Sequence, residues 1–115
     1  MDFTVSDKMK VVLEMINEFV DKELIPLEHE YLTADFRDLL PVLNEKRSMV
    51  KKMELWGPNH PAELGGMGLS MVDHGLVSEA LGRTPTGHYV FGCQAPDAGN
   101  IEILHLHGTE EQKAE

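Results

Sequence analysis

The sequence predicts an all-α fold, an orthogonal or up-down bundle of about five to six helices of unequal length joined by short loops. Three observations carry that prediction. Apolar residues recur at intervals of three and four along most of the chain, helix-starting Ser, Thr and Asp alternate with Gly and Pro at the breaks, and no segment alternates apolar with polar residues over a strand's length. At 115 residues the chain fits one domain, long enough to bury a core without metal or disulfide staples.

Met9, Val12, Leu13, Ile16, Phe19, Val20 and Leu24 share one face of residues 6–24, with Lys10, Glu14, Asn17, Glu18 and Asp21 opposite, which predicts an amphipathic helix. Pro26 interrupts it after Ile25, and "PLEHEYL" reads as a short continuation at a changed angle. Phe36, Leu39, Leu40, Leu43, Val50 and Met53 mark a second helix, in which Pro41 is expected in the first turn and which Gly57 and Pro58 end. "GPNHPAELGGMGLS" is too rich in Gly and Pro for regular structure and is expected to be a loop.

Ser70, with Asp73 at capping-box spacing, starts a third helix whose apolar face is Leu76, Val77, Ala80 and Leu81 before Gly82. After the break at "RTPTG", the nearly uncharged "HYVFGCQA" predicts a short helix ending at Pro96 and buried on most sides. Asp97 opens the next, in which Ile101, Leu104 and His105 face one way until Gly108. Thr109 and Gln112 then have the spacing of a capping box, the start of a helix left short at Glu115.

The formal net charge of -10 argues against nucleic acid, because phosphate binding rests on clustered Lys and Arg. The longest apolar runs are a few residues, so no membrane span is expected. "MDFTVSDKMK" lacks the pattern of a secretory signal or transit peptide, and the expected location is cytoplasmic. Cys93 is the single cysteine, which agrees with a reducing compartment. Within "YVFGCQAP" no neighbouring cation lowers its pKa, and it is expected to pack as a small hydrophobe.

His105 and His107 are two apart, which on a helix turns them about 200 degrees from each other, so they are not expected to share a metal. His29 in "LEHEYL" lacks a second His on its face, and no metal site is expected. "GGMGLS" lacks the Lys-Ser/Thr of a Walker loop and the third Gly of a dinucleotide fingerprint; it reads as a glycine turn passing close to a neighbouring helix. Asp73, His74 and Ser78 fall within too short a piece of one helix to form a nucleophile triad.

The stretch "WGPNHPAELGGMGLSMVDHGLVSEALGRTPTG", with "FGCQAPDAGNIEILHLHGTEEQKAE" after it, resembles the amino-terminal helical domain of the flavin-dependent acyl-CoA dehydrogenases. The subgroup it looks most like is that of family members ten and eleven. The resemblance spans essentially the whole chain, strongest after Trp56. It implies residues 1–115 as that domain, with a β domain and a carboxy-terminal helical domain, which would hold most flavin contacts and the catalytic glutamate, absent. It implies further that the parent enzyme uses FAD to dehydrogenate acyl-CoA thioesters at the α,β bond, passes electrons to electron-transfer flavoprotein and forms a homo-oligomer.

On that resemblance this domain supplies one wall of the acyl cavity through Phe91, Gly92 and Ala95, holds no catalytic or cofactor-binding residue of its own, and is inactive and flavin-free alone. The alternative is a stand-alone helical module derived from such a domain, which binds an acyl chain or a protein.

Overall fold

The computed structural model describes residues 4–115, so the first three residues of the amino-terminal stretch read above lie outside it. Ser6, in extended conformation, accepts the Met9 amide on its hydroxyl at 3.2 Å and starts α1 (Asp7–Phe19), whose Met9, Ile16 and Phe19 are buried. The chain continues through a π turn (Val20–Leu24), a 3-10 turn (Ile25–Leu27) and α2 (Glu28–Thr33). Regular α-helix therefore stops at Phe19, five residues short of the predicted Leu24. Pro26 has no amide hydrogen for the Lys22 carbonyl and its ring crowds that carbonyl, so the preceding turn widens. Val20 and Leu24 nevertheless stay in the core.

Asp35 caps α3 (Phe36–Lys52) by accepting the Arg37 amide at 2.9 Å. Pro41 is the sixth residue of this helix, not a first-turn residue as the sequence suggested. Its missing donor leaves the Arg37 carbonyl unbonded along the helix, and because both residues are exposed, water can take that bond. The helix stops at Lys52, ahead of Gly57, where Glu54 turns the chain at φ 60°.

The loop that follows is closed on itself. The amides of Met67, Gly68 and Leu69 donate to the carbonyls of Gly57, His60 and Pro58 at 3.1, 2.8 and 3.0 Å, and the Gly57 amide donates to Phe91 at 2.9 Å. The sequence reading placed the close approach of this glycine turn against a neighbouring helix. It lies within the loop: a Cβ on Gly66 would collide with the His60 carbonyl.

Ser70 caps α4 (Met71–Leu81) as predicted, accepting the Asp73 amide at 3.2 Å, and Val77, Ala80 and Leu81 are buried. The segment expected as a helix up to Pro96 is a single turn, α5 (Gly87–Val90), because Gly92 at φ +69° cannot continue a right-handed helix. Ala95–Pro96 is a cis peptide. Then come α6 (Asp97–His107) and α7 (Glu110–Ala114), the latter with both halves of the Thr109–Gln112 capping box formed at 3.2 and 3.0 Å.

Among the described residues there is no strand, and the fold is all helical. The core forms where α1 packs on α4 and α3 on α5. Phe91, fully buried, meets Phe19 edge-on at 5.6 Å. Arg83, just past α4, reaches Asn17 of α1 at 2.8 Å and Asp21 of the π turn at 2.5 Å, and the largely covered Lys46–Glu23 pair at 2.6 Å ties α3 to the π turn. No residue of α6 or α7 is buried.

Candidate functional site

A cavity of about 240 Å³ opens where α3, the Trp56 loop, the turn after α5 and α6 meet. Its aromatic side is Trp56 and Tyr89, with Gly92 between them and α6 in sequence; Ile101 and Leu104 give it an apolar edge on α6. Arg47, Gln94, Asp97 and Asn100 supply the polar groups. Tyr89 is braced by Phe36 in an edge contact at 5.7 Å. Arg47 reaches from α3 so that its guanidinium carbon lies 4.9 Å from the Trp56 ring centroid and 4.6 Å from that of Tyr89.

Glycine is required at position 92 for two reasons. Its backbone is left-handed, and a Cβ there would fall within 2.7 Å of three Trp56 ring atoms. The missing side chain lets the indole close one side of the cavity.

Of the three residues assigned to the acyl wall from the sequence, the structure brings Gly92 to this cavity. Phe91 sits behind it in the core against Phe19, and Ala95 is exposed and outside the lining. Sequence reasoning missed Arg47, Trp56, Tyr89, Gln94, Asp97 and Asn100 as lining residues of this cavity. Ile101 and Leu104 carried a signal, since their spacing already placed them on one face of the helix that α6 proves to be.

The other candidate chemistry is structural. Cys93 is buried, and loss of solvent pushes its thiol pKa up to about 12, so it stays protonated and unreactive near neutral pH. Ser78 hydrogen-bonds His88, Oγ to Nε2 at 2.7 Å, and so links α4 to α5 instead of engaging His74. His74 has its pKa lowered by burial first and by His88 and His60 second. His105 reaches Glu63 at 3.2 Å while His107 is exposed, in keeping with their opposed directions on the helix. Among the described residues no group of three or more His, Cys, Asp or Glu could hold a metal ion.

The glycine loop does not fit a phosphate or flavin pyrophosphate, because the amides of Gly65 to Leu69 are already donated to carbonyls of the loop itself. No described helix is long and apolar enough to cross a membrane.

The comparisons with known proteins agree with this architecture. The family described as "Acyl-CoA dehydrogenase, N-terminal domain" matches residues 6–115. Acyl-CoA dehydrogenase family member 11 of Gallus gallus is 37% identical over 121 residues, a match that takes in 98% of this chain and 15% of that protein. The (R)-benzylsuccinyl-CoA dehydrogenase of Thauera aromatica is 32% identical, over 98% of this chain and 30% of its own length. The chain thus spans between about a seventh and a third of these relatives. A putative acyl-CoA dehydrogenase from Mycobacterium abscessus superposes with a TM-score of 0.83 at 29% identity, covering 97% of this chain and 31% of that one. An all-helical bundle, a family match over nearly every described residue and a close structural counterpart lead to one assignment: the chain belongs to the acyl-CoA dehydrogenase family, as its amino-terminal domain.

Proposed function

We propose that this domain serves an FAD-dependent acyl-CoA dehydrogenase as one wall of the cavity that receives the acyl chain, and that it is inactive and flavin-free by itself. The observation that carries the reading is the cavity beside Gly92, closed by the Trp56 ring and edged by Ile101 and Leu104. An alkyl chain needs a shaped apolar lining, and those two residues keep 38% and 45% of their surface exposed, free to give it. In α,β-dehydrogenation a carboxylate base takes the α proton and the flavin takes the β hydride; this reading assigns both to the remaining length of the enzyme. Residues 4–115 then act by orienting the acyl tail and keeping water from it.

The test belongs in an enzyme that joins this domain to the rest of the relatives' length. Leu104→Trp adds bulk at the edge of the cavity and should lower kcat/KM for long acyl-CoA substrates by roughly tenfold or more relative to short ones, since cost arises only where the tail must enter that space. A uniform loss at every length would sink the reading. Gly92→Leu cannot serve here, because it forces a side chain into Trp56 and onto a left-handed backbone. A second reading, a free-standing acyl- or protein-binding module, is favoured by Ile103 and Leu106, which stand 60% and 62% exposed on α6. Saturable binding of an acyl chain by the 115-residue protein without flavin would favour it.

A further inference from the structure

Arg47 places a cation in the cavity and, among the described residues, has no carboxylate partner. Lys10, Lys22, Lys46, Arg83 and Lys113 each pair with a carboxylate; among the described residues Lys8, Arg37, Arg47, Lys51 and Lys52 do not, and of these five Arg47 lines the cavity. Its partners are the faces of Trp56 and Tyr89, 4.9 and 4.6 Å from the guanidinium carbon. A ring face attracts the charge but does not use the in-plane fork of N–H donors that fits a carboxylate. One turn along α3, the Lys51 ammonium lies 4.4 Å from the Trp56 ring, so two positive charges flank one indole in a chain of net charge -10. Gln94 and Asn100 add amide groups to the same cavity, and Asp97 lines it with no ion pair to Arg47 among the described residues.

We propose that this cavity binds a carboxylate, held by the Arg47 guanidinium while the two rings fix its orientation and the amides of Gln94 and Asn100 complete the set of donors. The Asp97 carboxylate selects against a dianion such as phosphate, because its repulsion scales with the guest's charge. A volume of about 240 Å³ suits a short carboxylic acid or the acid end of a longer molecule. The inference rests on Arg47 and its surroundings; an acyl tail seated beside Trp56 and Leu104 would compete with the carboxylate for the same space.

Trp56 is the single tryptophan, so its fluorescence reports on the site in the protein as it stands. At constant ionic strength, pentanoate should produce a saturable change that neutral pentanamide does not. Arg47→Gln should weaken pentanoate by roughly tenfold or more, the scale of one lost charge-assisted pair, and Arg47→Lys should keep part of the affinity. Asp97→Asn, at an exposed position, should tighten it severalfold by removing the repulsion, a gain that a merely structural role for Arg47 does not give. The proposal is overturned if pentanamide or inorganic phosphate matches pentanoate, or if Arg47→Gln responds like the parent. Should Arg47→Gln fail to fold, an Asp97→Asn protein that gains no affinity overturns it equally.

Discussion

Residues 4–93 and the residues after them are built on different terms. In the first region α1, α3, α4 and α5 share a core in which Ile16, Leu24, Leu43, Leu81 and Phe91 are fully buried, although Val11, Phe36, Met71 and Val72 stay exposed. In the second, α6 carries Ile101, Ile103, Leu104 and Leu106 within six positions and buries none of them. Isolated exposed apolar residues are ordinary, but Ile103 and Leu106, one turn apart on the side of α6 away from Ile101 and Leu104, form a pair that the described residues leave uncovered. Stability therefore resides in the first region, and the candidate site lies along the seam, where Trp56, Tyr89 and Gly92 face Ile101 and Leu104.

The sharpest way to break this contrast is to truncate one residue from each side. Phe91→Ala should cost about 3–5 kcal/mol, the usual loss for a fully buried aromatic, while Leu106→Ser should stay within about 0.5 kcal/mol. Urea unfolding of both variants measures the difference, and comparable losses would show that α6 shares in the core. A smaller effect is expected at the seam. Gly92→Ala should cost about 2 kcal/mol, from a left-handed backbone and from a displaced Trp56, and should shift the tryptophan emission as well. A stability loss without an emission change would separate Gly92 from the cavity.

The smallest effect concerns acid. His74 has a folded pKa below its usual value near 6.5, with burial as the main cause. Between the folded and unfolded values the unfolded chain binds more protons, so stability should fall as pH drops below about 6.5 and stop falling once the folded value is passed. In thermal melts from pH 7.5 to 5, His74→Gln should lose less Tm than the parent. An identical pH profile would remove His74 from the acid response.

What could be read from the sequence was local, and what could not was long-range. The caps at Ser70 and Thr109 depend on residues three apart; both accept the expected amide, and Thr109 completes the capping box while at Ser70 the Asp73 carboxylate takes the Ser70 hydroxyl and not its amide. The burial of Cys93 followed from its apolar neighbours. Pro41 was misplaced because a solvent-facing helix position can give up one amide donor, and that exposure is not visible without the packing partner. The wall residues Phe91, Gly92 and Ala95 came from the family resemblance, counted back from "HGTEEQK"; in the fold Gly92 leaves the right-handed region at φ +69°, Phe91 lies in the core and Ala95 is exposed outside the cavity lining. Arg47 was invisible as a site residue because its two rings lie 9 and 42 positions away along the chain.

The glycine loop after Trp56 also bears on how this chain can vary. Its carbonyls at Gly57, Pro58 and His60 receive the amides of Met67, Leu69 and Gly68 in a fixed register, and a further bond latches Gly57 to Phe91. Adding or deleting a residue anywhere from 61 to 66 would shift those three amides together, and one residue's shift moves a donor by about 3.3 Å, the length of a hydrogen bond. Surface loops are usually where a lineage gains and loses length. Here the spacing of Gly and Pro is itself the structural information, and the loop is expected to accept substitutions at exposed Ala62 and Glu63 far more readily than any change in its number of residues.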